Sequence, residues 1–498
     1  MHPVHLSSLK PLRADAPTNT LLCGALSILI LASSANAQTS YWSNATLNGV
    51  DTPHSWSTAS NWTGNAVPSF GVGSTINFTT ADIFAGTQTV IGANRTVGTL
   101  NFSDPTAGNG RWYLGNDGNS LQMEVSSGVP VIDVSSNLLA ADIANNITGN
   151  QGLRKTGGST LNLHTTNKTY TGTTYVDQGT VNLTSVNMAS DSVVVGSGAL
   201  FRMSGITQTL TNIGGSGTIA VNQATLIIDN SSNITFNGTI SKGTYTGSLQ
   251  KTGAGELVLT KYNNHGGSTS VSGGTLVIAQ NAGIDKGVTV SNNSTLVNNG
   301  TVGIAASTIQ AGSTLSGSGT FQSNVTISGI HSPGNSPGIQ TFERNLTYNA
   351  GSSINWELVD NTTVGRGVNY DGIDVGTAGV LAANDLRFNG ATTLNVNFAI
   401  GGSLVDWTNE FWSQNRAGVD GWKIFDVYDQ TFNLENLTLA TGPYLDSEGR
   451  SFKSARGSGV FELQKVGNDV YLAYFVPEPS SSLLVGLGAF CLLRRRRP

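Results

Sequence analysis

Apolar and polar residues alternate along this chain in short runs. In Thr160-Leu161-Asn162-Leu163 every second side chain is apolar, which places Leu161 and Leu163 on one buried face of a strand, and Gly274-Thr275-Leu276-Val277-Ile278 is a matching short apolar run. Similar runs recur between residues 145 and 340 and alternation continues over 345–476, the runs being separated every five to ten residues by Gly, Asn and Thr, the residues that build corners. No segment of the exported chain holds the i, i+3, i+4, i+7 apolar spacing of a helix for long. The chain is therefore expected to be all-β. A short strand cannot bury its own apolar face, so the units must stack, coil upon coil, at the ~4.8 Å spacing of paired strands. The pattern predicts a β-solenoid.

The stretch Gly152–Leu183 contains a unit that is used twice. Leu153-Arg154-Lys155-Thr156-Gly157, Tyr170-Thr171-Gly172 and Gly179-Thr180-Val181-Asn182-Leu183 correspond to Leu249-Gln250-Lys251-Thr252-Gly253, His265-Gly266-Gly267 and Gly274-Thr275-Leu276-Val277-Ile278. The shift is 96 residues at Lys155/Lys251 and 95 at Gly179/Gly274. Fragments of the closing motif stand at Gly98-Thr99-Leu100, Gly217-Thr218-Ile219 and Gly319-Thr320-Phe321. The two full copies resemble the autotransporter-associated β-strand repeat, which departs from the second copy at His265. The resemblance implies a right-handed parallel β-helix of a surface protein. The β-barrel that usually accompanies this repeat is expected to be missing.

Bulky residues divide the chain further. Trp42, Trp56, Trp62 and Trp112 precede a tryptophan-free middle, and Trp356, Trp407, Trp412 and Trp422 follow it. Solenoid ends need atypical units to cover them, so capping and core packing are the expected roles, with a sugar-binding platform as the alternative. We divide the chain into a signal peptide (1–37), an N-terminal β-rich cap region (38–144), the repeat-bearing solenoid (145–340), a C-terminal β region (341–476) and a terminal sorting segment (477–498). Whether 341–476 continues the solenoid or forms a separate domain is not decided by pattern alone.

Composition adds a compartment. Charged residues make up only 11% of the chain and hydrophobic ones 38%, too many for a disordered chain. Lys10 and Arg13, the apolar stretch Leu21–Ala32 and Ala35-Asn36-Ala37 have the order of a secretory signal, with cleavage expected between Ala37 and Gln38. Cys23 leaves with that signal, and Cys491 lies in the last apolar segment, so no disulfide is expected in the exported body. Residues 38–479 hold 19 basic and 29 acidic residues, a net charge of −10, which argues against a nucleic-acid partner. At the far end Pro477-Glu478-Pro479 precedes the apolar stretch Leu483–Leu493 and then Arg494, Arg495, Arg496 and Arg497. Eleven apolar residues fall short of the ~20 of a stable membrane span, and the arginines hold the tail on the cytoplasmic side. This order resembles the PEP-CTERM sorting signal. The resemblance implies a transient inner-membrane segment, recognition by an exosortase-type processing enzyme, and delivery to the cell envelope, outer surface or extracellular matrix.

Catalytic chemistry finds little support. Gly334-Asn335-Ser336-Pro337-Gly338 fits the G-x-S-x-G pattern, but Pro337 has no N–H for an oxyanion hole and Gly338-Ile339-Gln340-Thr341 does not start the helix such an elbow needs. Tyr370-Asp371-Gly372-Ile373-Asp374-Val375 suggests calcium once, without the tandem repeats a calcium β-roll needs, so a solvated turn is expected. His54, His164, His265 and His331 lack ligand spacing and read as surface residues. No catalytic residue, cofactor or metal is assigned. The sequence predicts a non-enzymatic, structural or adhesive surface protein, with extracellular polysaccharide or other surface components as candidate partners. The alternative is a polysaccharide-active β-helix lyase or hydrolase, which would require acidic and basic side chains converging in one groove.

Overall fold

A computed structural model describes residues 37–44, 54–83, 86–106, 110–376, 383–457 and 459–476. The expected strands form: Thr160–Leu163 buries Leu161 and Leu163 completely, and Thr275–Ile278 buries Leu276 and Ile278. Each strand pairs in parallel with the one a coil later. Thr160 lies beside Thr180, Thr180 beside Leu200, and Leu200 beside Thr218, so one coil takes about 20 residues at the strand spacing of a parallel ladder.

The coils have three faces. The first runs as an eight-stranded sheet from Thr39–Tyr41 to Asn212–Gly215 and is followed by a nine-stranded sheet from Ile234–Phe236 to Leu437–Leu439. At ~4.8 Å per strand that face is about 80 Å long. The second starts at His54–Ser55 and passes from Thr239–Lys242 to Tyr262–Asn263 through a Ser241–Asn264 bridge. The third starts with Arg95–Val97, Ser120–Met123 and Asn146–Thr148, is linked by the Lys168–Met188 bridge, and continues as ten strands from Thr207–Leu210 to Thr431–Phe432. Apolar side chains from all three faces fill one narrow core. The ladders cross residue 340 without a break, since Ile330–Pro333 pairs with Ser353–Glu357 and the latter with Thr392–Asn397. The solenoid therefore continues past residue 341 as far as Leu439, and the remaining residues cap it.

The two repeat copies sit on different faces. Leu153–Thr156 lies on the first face and Thr160–Leu163 on the second, whereas Gly247–Lys251 lies on the third and Glu256–Leu259 on the first. A shift of 96 residues is not a whole number of coils of about 20, so the second copy enters one face out of phase. The repeat is a corner-and-strand module that any face accepts. Its glycines explain why: Gly157 (φ 75°) and Gly179 (φ 65°) turn left-handed corners, and a Cβ on either would collide with Val134 O or Ser159 O of the preceding coil.

Both ends are closed by aromatic clusters. Trp42 packs edge-on against Trp62 at 5.0 Å, Trp56 stacks on Phe70 at 5.7 Å, and Phe78 stacks on Phe102 at 5.1 Å. At the other end Trp407, Trp412 and Trp422 meet Phe398, Phe461 and Tyr474. All eight tryptophans are at most 1% exposed, so none offers a ring to a sugar. Asp469–Phe475 runs antiparallel to Trp422–Val427 of the stack, and Val460–Val466 pairs antiparallel with it as the edge strand that ends this face. Helix is confined, among the described residues, to Phe452–Arg456 and four short 3₁₀ turns.

Candidate functional site

The repeat's signature residues face inward. Lys155 shares the parity of Leu153 in its strand and is completely buried. Its ammonium donates to the carbonyls of Thr156 (2.6 Å), Gly157 (2.7 Å) and Gln178 (3.2 Å). Lys251 repeats the arrangement on Gly253 O and on Gly273 O at 3.2 Å. Lys168, also buried, donates to Asn145 O (2.7 Å) and His164 O (3.1 Å). These amines satisfy corner carbonyls that no strand reaches. Burial lowers all three, Lys155 to about 8 and Lys168 to about 7. Parity with a core leucine, Leu153 for Lys155 and Leu249 for Lys251, was the sequence signal that the two repeat lysines point inward.

The tyrosine of the turn is equally internal. Tyr170 is fully buried, with its hydroxyl 2.7 Å from Thr174 Oγ1. In the second copy His265 takes its place, and its Nε2 lies 3.0 Å from Thr269 Oγ1, four residues on as in the first copy. The departure at His265 therefore preserves the buried hydrogen bond. His331 is also fully buried, with Nδ1 2.6 Å from Tyr348 Oη and Nε2 2.8 Å from Gln340 Oε1. The expectation of surface histidines is corrected at both positions, because each ring has polar partners inside the stack. Among the described residues only His54 and His164 are histidines that reach the surface.

His331 carries a pH dependence. Burial lowers it from 6.5 to about 4. Below pH 6.5 the unfolded chain takes a proton that the folded chain refuses until about pH 4, so stability contributed by neutral His331 is lost as pH falls through that window. The loss amounts to about 3 kcal/mol at the low end, at 1.36 kcal/mol per pH unit. Urea midpoints of wild type and His331→Gln, compared between pH 7.5 and 4.5, are expected to show a smaller acid loss in the variant.

The sequence-marked chemical motifs do not assemble. Ser336 Oγ donates to Glu357 Oε2 at 2.8 Å and has no histidine partner, since both nitrogens of His331 are engaged elsewhere. Ile339–Phe342 is a strand, so no helix follows the serine. The solvated turn expected at Tyr370–Val375 is instead strand Gly372–Val375, paired on both sides. Asp371 is fully buried and accepts from Gly338 N (2.9 Å) and Glu357 N (3.0 Å), with burial pushing its carboxyl up to about 8. Asp374 pairs with Arg366 at 2.6 Å.

Charged side chains meet in small groups. Asp142, half of an ion pair with Arg111 at 3.3 Å, lies 3.7 Å from His164 Nε2 on the second face. Burial raises Asp142 and lowers His164. Arg450 holds Asp446 at 2.8 Å and reaches Glu448 at 3.4 Å, fixing a cap loop. Neither group lines either of two surface hollows: one of about 700 Å³ among Leu439, Tyr444, Phe452, Val460 and Phe461, the other of about 720 Å³ among Asn292, Asn293, Gln310, Ala311 and Ser328. Among the described residues no three His, Cys, Asp or Glu side chains are placed to hold a metal ion.

The two expected processing points flank the stack. Ala37 and Gln38 are exposed; Gln38 O accepts from Thr75 N at 2.8 Å and the first strand begins at Thr39. Ala35 lies outside the described residues. At the other end Asp469–Phe475 is the last strand, and Val476 N donates to Asn415 Oδ1 at 2.7 Å. Pro477, Glu478, Pro479, the segment Leu483–Leu493 and Arg494–Arg497 lie outside the described residues. Among those described, no helix is long and apolar enough to cross a membrane. Every described ladder is complete before Pro477, so a chain ending at Val476 is expected to melt within ~1 °C of the full chain in a thermal scan, well below the several degrees that ~1 kcal/mol would shift a small domain.

The comparisons agree with these two features. A model of the passenger-associated-transport-repeat matches residues 153–183 and 249–278, the two copies placed above on different faces. A model of the PEP-CTERM protein-sorting motif matches residues 475–497. No curated protein matches the chain. The chain thus carries two passenger-associated-transport repeats in a parallel β-solenoid and a PEP-CTERM sorting motif, the signal for exosortase processing and for export to the cell envelope or surface.

Proposed function

We propose that the protein is a non-enzymatic, structural or adhesive component of the cell surface or extracellular matrix. Leu483–Leu493 would hold the exported chain transiently at the inner membrane until the processing enzyme removes the tail. The observation that carries this reading is the stack itself, whose coils follow one another from Thr39–Tyr41 to Asp469–Phe475, next to the matched sorting motif. A rigid rod with low charge and a closed core suits display and cohesion. Its buried ionisable groups support the same reading, since Lys155, Lys168, Lys251 and Asp371 bind backbone groups of their own chain.

The test is genetic and mechanical. A strain lacking the protein is complemented with the full chain or with one ending at Val476, and cell-to-cell cohesion is measured by settling under shear. Cohesion restored by the full chain alone is the expected result. Unchanged cohesion in the deletion strain would remove the structural role.

A further inference from the structure

We infer that the third face between Ser270 and Asn349 binds a neutral, extended polysaccharide along the solenoid axis. This inference rests on the surface-scaffold reading and names the patch and ligand chemistry it would use. Ser270, Thr289, Thr308, Thr326 and Thr347 stand in register, one per coil, and all point outward. Two residues on, Ser272, Ser291, Gln310, Ser328 and Asn349 form a second outward column, aligned by Ser291 N to Val271 O, Gln310 N to Val290 O, Ser328 N to Ile309 O and Asn349 N to Ile327 O.

These ten outward positions carry hydroxyls and amides and no charge. The first face at the same level is different, because Val277, Val297 and Ile330 interrupt it with apolar groups. The second column borders the 720 Å³ hollow lined by Asn292, Asn293, Gln310, Ala311 and Ser328. Asn292 and Asn293 hold that corner with φ of 56° and 59°, leaving their amides exposed. The patch therefore combines a flat periodic array with a concave polar edge.

Hydroxyls and amides both donate and accept, the pairing a polyol needs. One such contact contributes only ~0.5–1.5 kcal/mol, but repetition at ~4.8 Å lets one polymer make many without a new association cost for each. The strands fix the array beforehand, which lowers the ordering cost of binding. A polyanion would find no cation on these ten positions.

The test is native electrophoresis of the exported protein in gels containing dextran, galactomannan or hydroxyethyl cellulose, with alginate as the polyanion. Retardation by at least one neutral polymer is expected. Thr308→Val with Thr326→Val keeps the β-branched shape and should weaken retardation at least about fivefold, equivalent to ~1 kcal/mol of lost hydrogen bonding. Thr275→Val with Thr295→Val on the first face should leave it unchanged. Thr308→Ser with Thr326→Ser restores the hydroxyls and should restore retardation, which separates loss of contact from loss of fold. Retardation by alginate alone, by none of the neutral polymers, or an equal loss in both valine pairs would overturn the assignment. Cohesion that depends on the protein without such retardation leaves the scaffold reading standing and removes only the ligand.

Discussion

Trp412→Ala is expected to destabilise the C-terminal cap by ~3–5 kcal/mol, the range for removing a fully buried large aromatic. Trp412 is completely buried and has Trp407 at 4.7 Å, Phe411 at 4.9 Å, Tyr474 at 5.5 Å and Trp422 at 5.7 Å. Its indole N–H donates to Asn361 Oδ1 at 2.7 Å, and its carbonyl accepts from the Tyr474 hydroxyl at 2.9 Å. The substitution opens a cavity and leaves the Asn361 oxygen with one donor fewer. Because end coils in a stack support their neighbours on one side only, the loss should appear first as early melting of the cap, seen in near-ultraviolet dichroism. Val419→Ala, at a position 71% exposed, is the control and should change stability by less than ~0.5 kcal/mol. A Trp412→Ala loss no larger than that would show that the cap does not carry the end of the stack.

Lys155→Met is expected to cost ~2–4 kcal/mol, although methionine is the more apolar side chain. The ammonium is the donor to three carbonyls at a buried corner, and methionine leaves them without it. Lys251→Met should behave alike, because the second copy rebuilds the same cage on another face. Lys261→Met, at an exposed position, should be close to neutral. Chemical denaturation of the three variants measures the contrast. Equal midpoints for Lys155→Met and Lys261→Met would mean that the corner lysines do not hold the coils.

Much of the fold was legible because strand alternation and corner residues are local signals. Leu161 and Leu163 followed from alternation alone, and the tryptophans followed from the need to close both ends. The phase of the repeats was not legible, since it depends on the summed length of coils of unequal size between Lys155 and Lys251. Residue type misled at His265, His331 and Asp371, polar groups that take partners from other coils or loops: Gly247 O for His265, Tyr348 for His331 and Gly338 N for Asp371. The hydroxyl columns of the third face were hidden for a related reason. Thr289, Thr308, Thr326 and Thr347 stand 18 to 21 residues apart, and only the coil register sets them side by side.

A rod exported at one processing point and sorted at the other is tested most directly by intact mass with terminal peptides of the protein from native envelope and medium. A chain that begins at Gln38 and ends close to Pro479 is the predicted result. A chain from the envelope that still carries Arg494–Arg497 would contradict the sorting step and make an anchored membrane protein the working model.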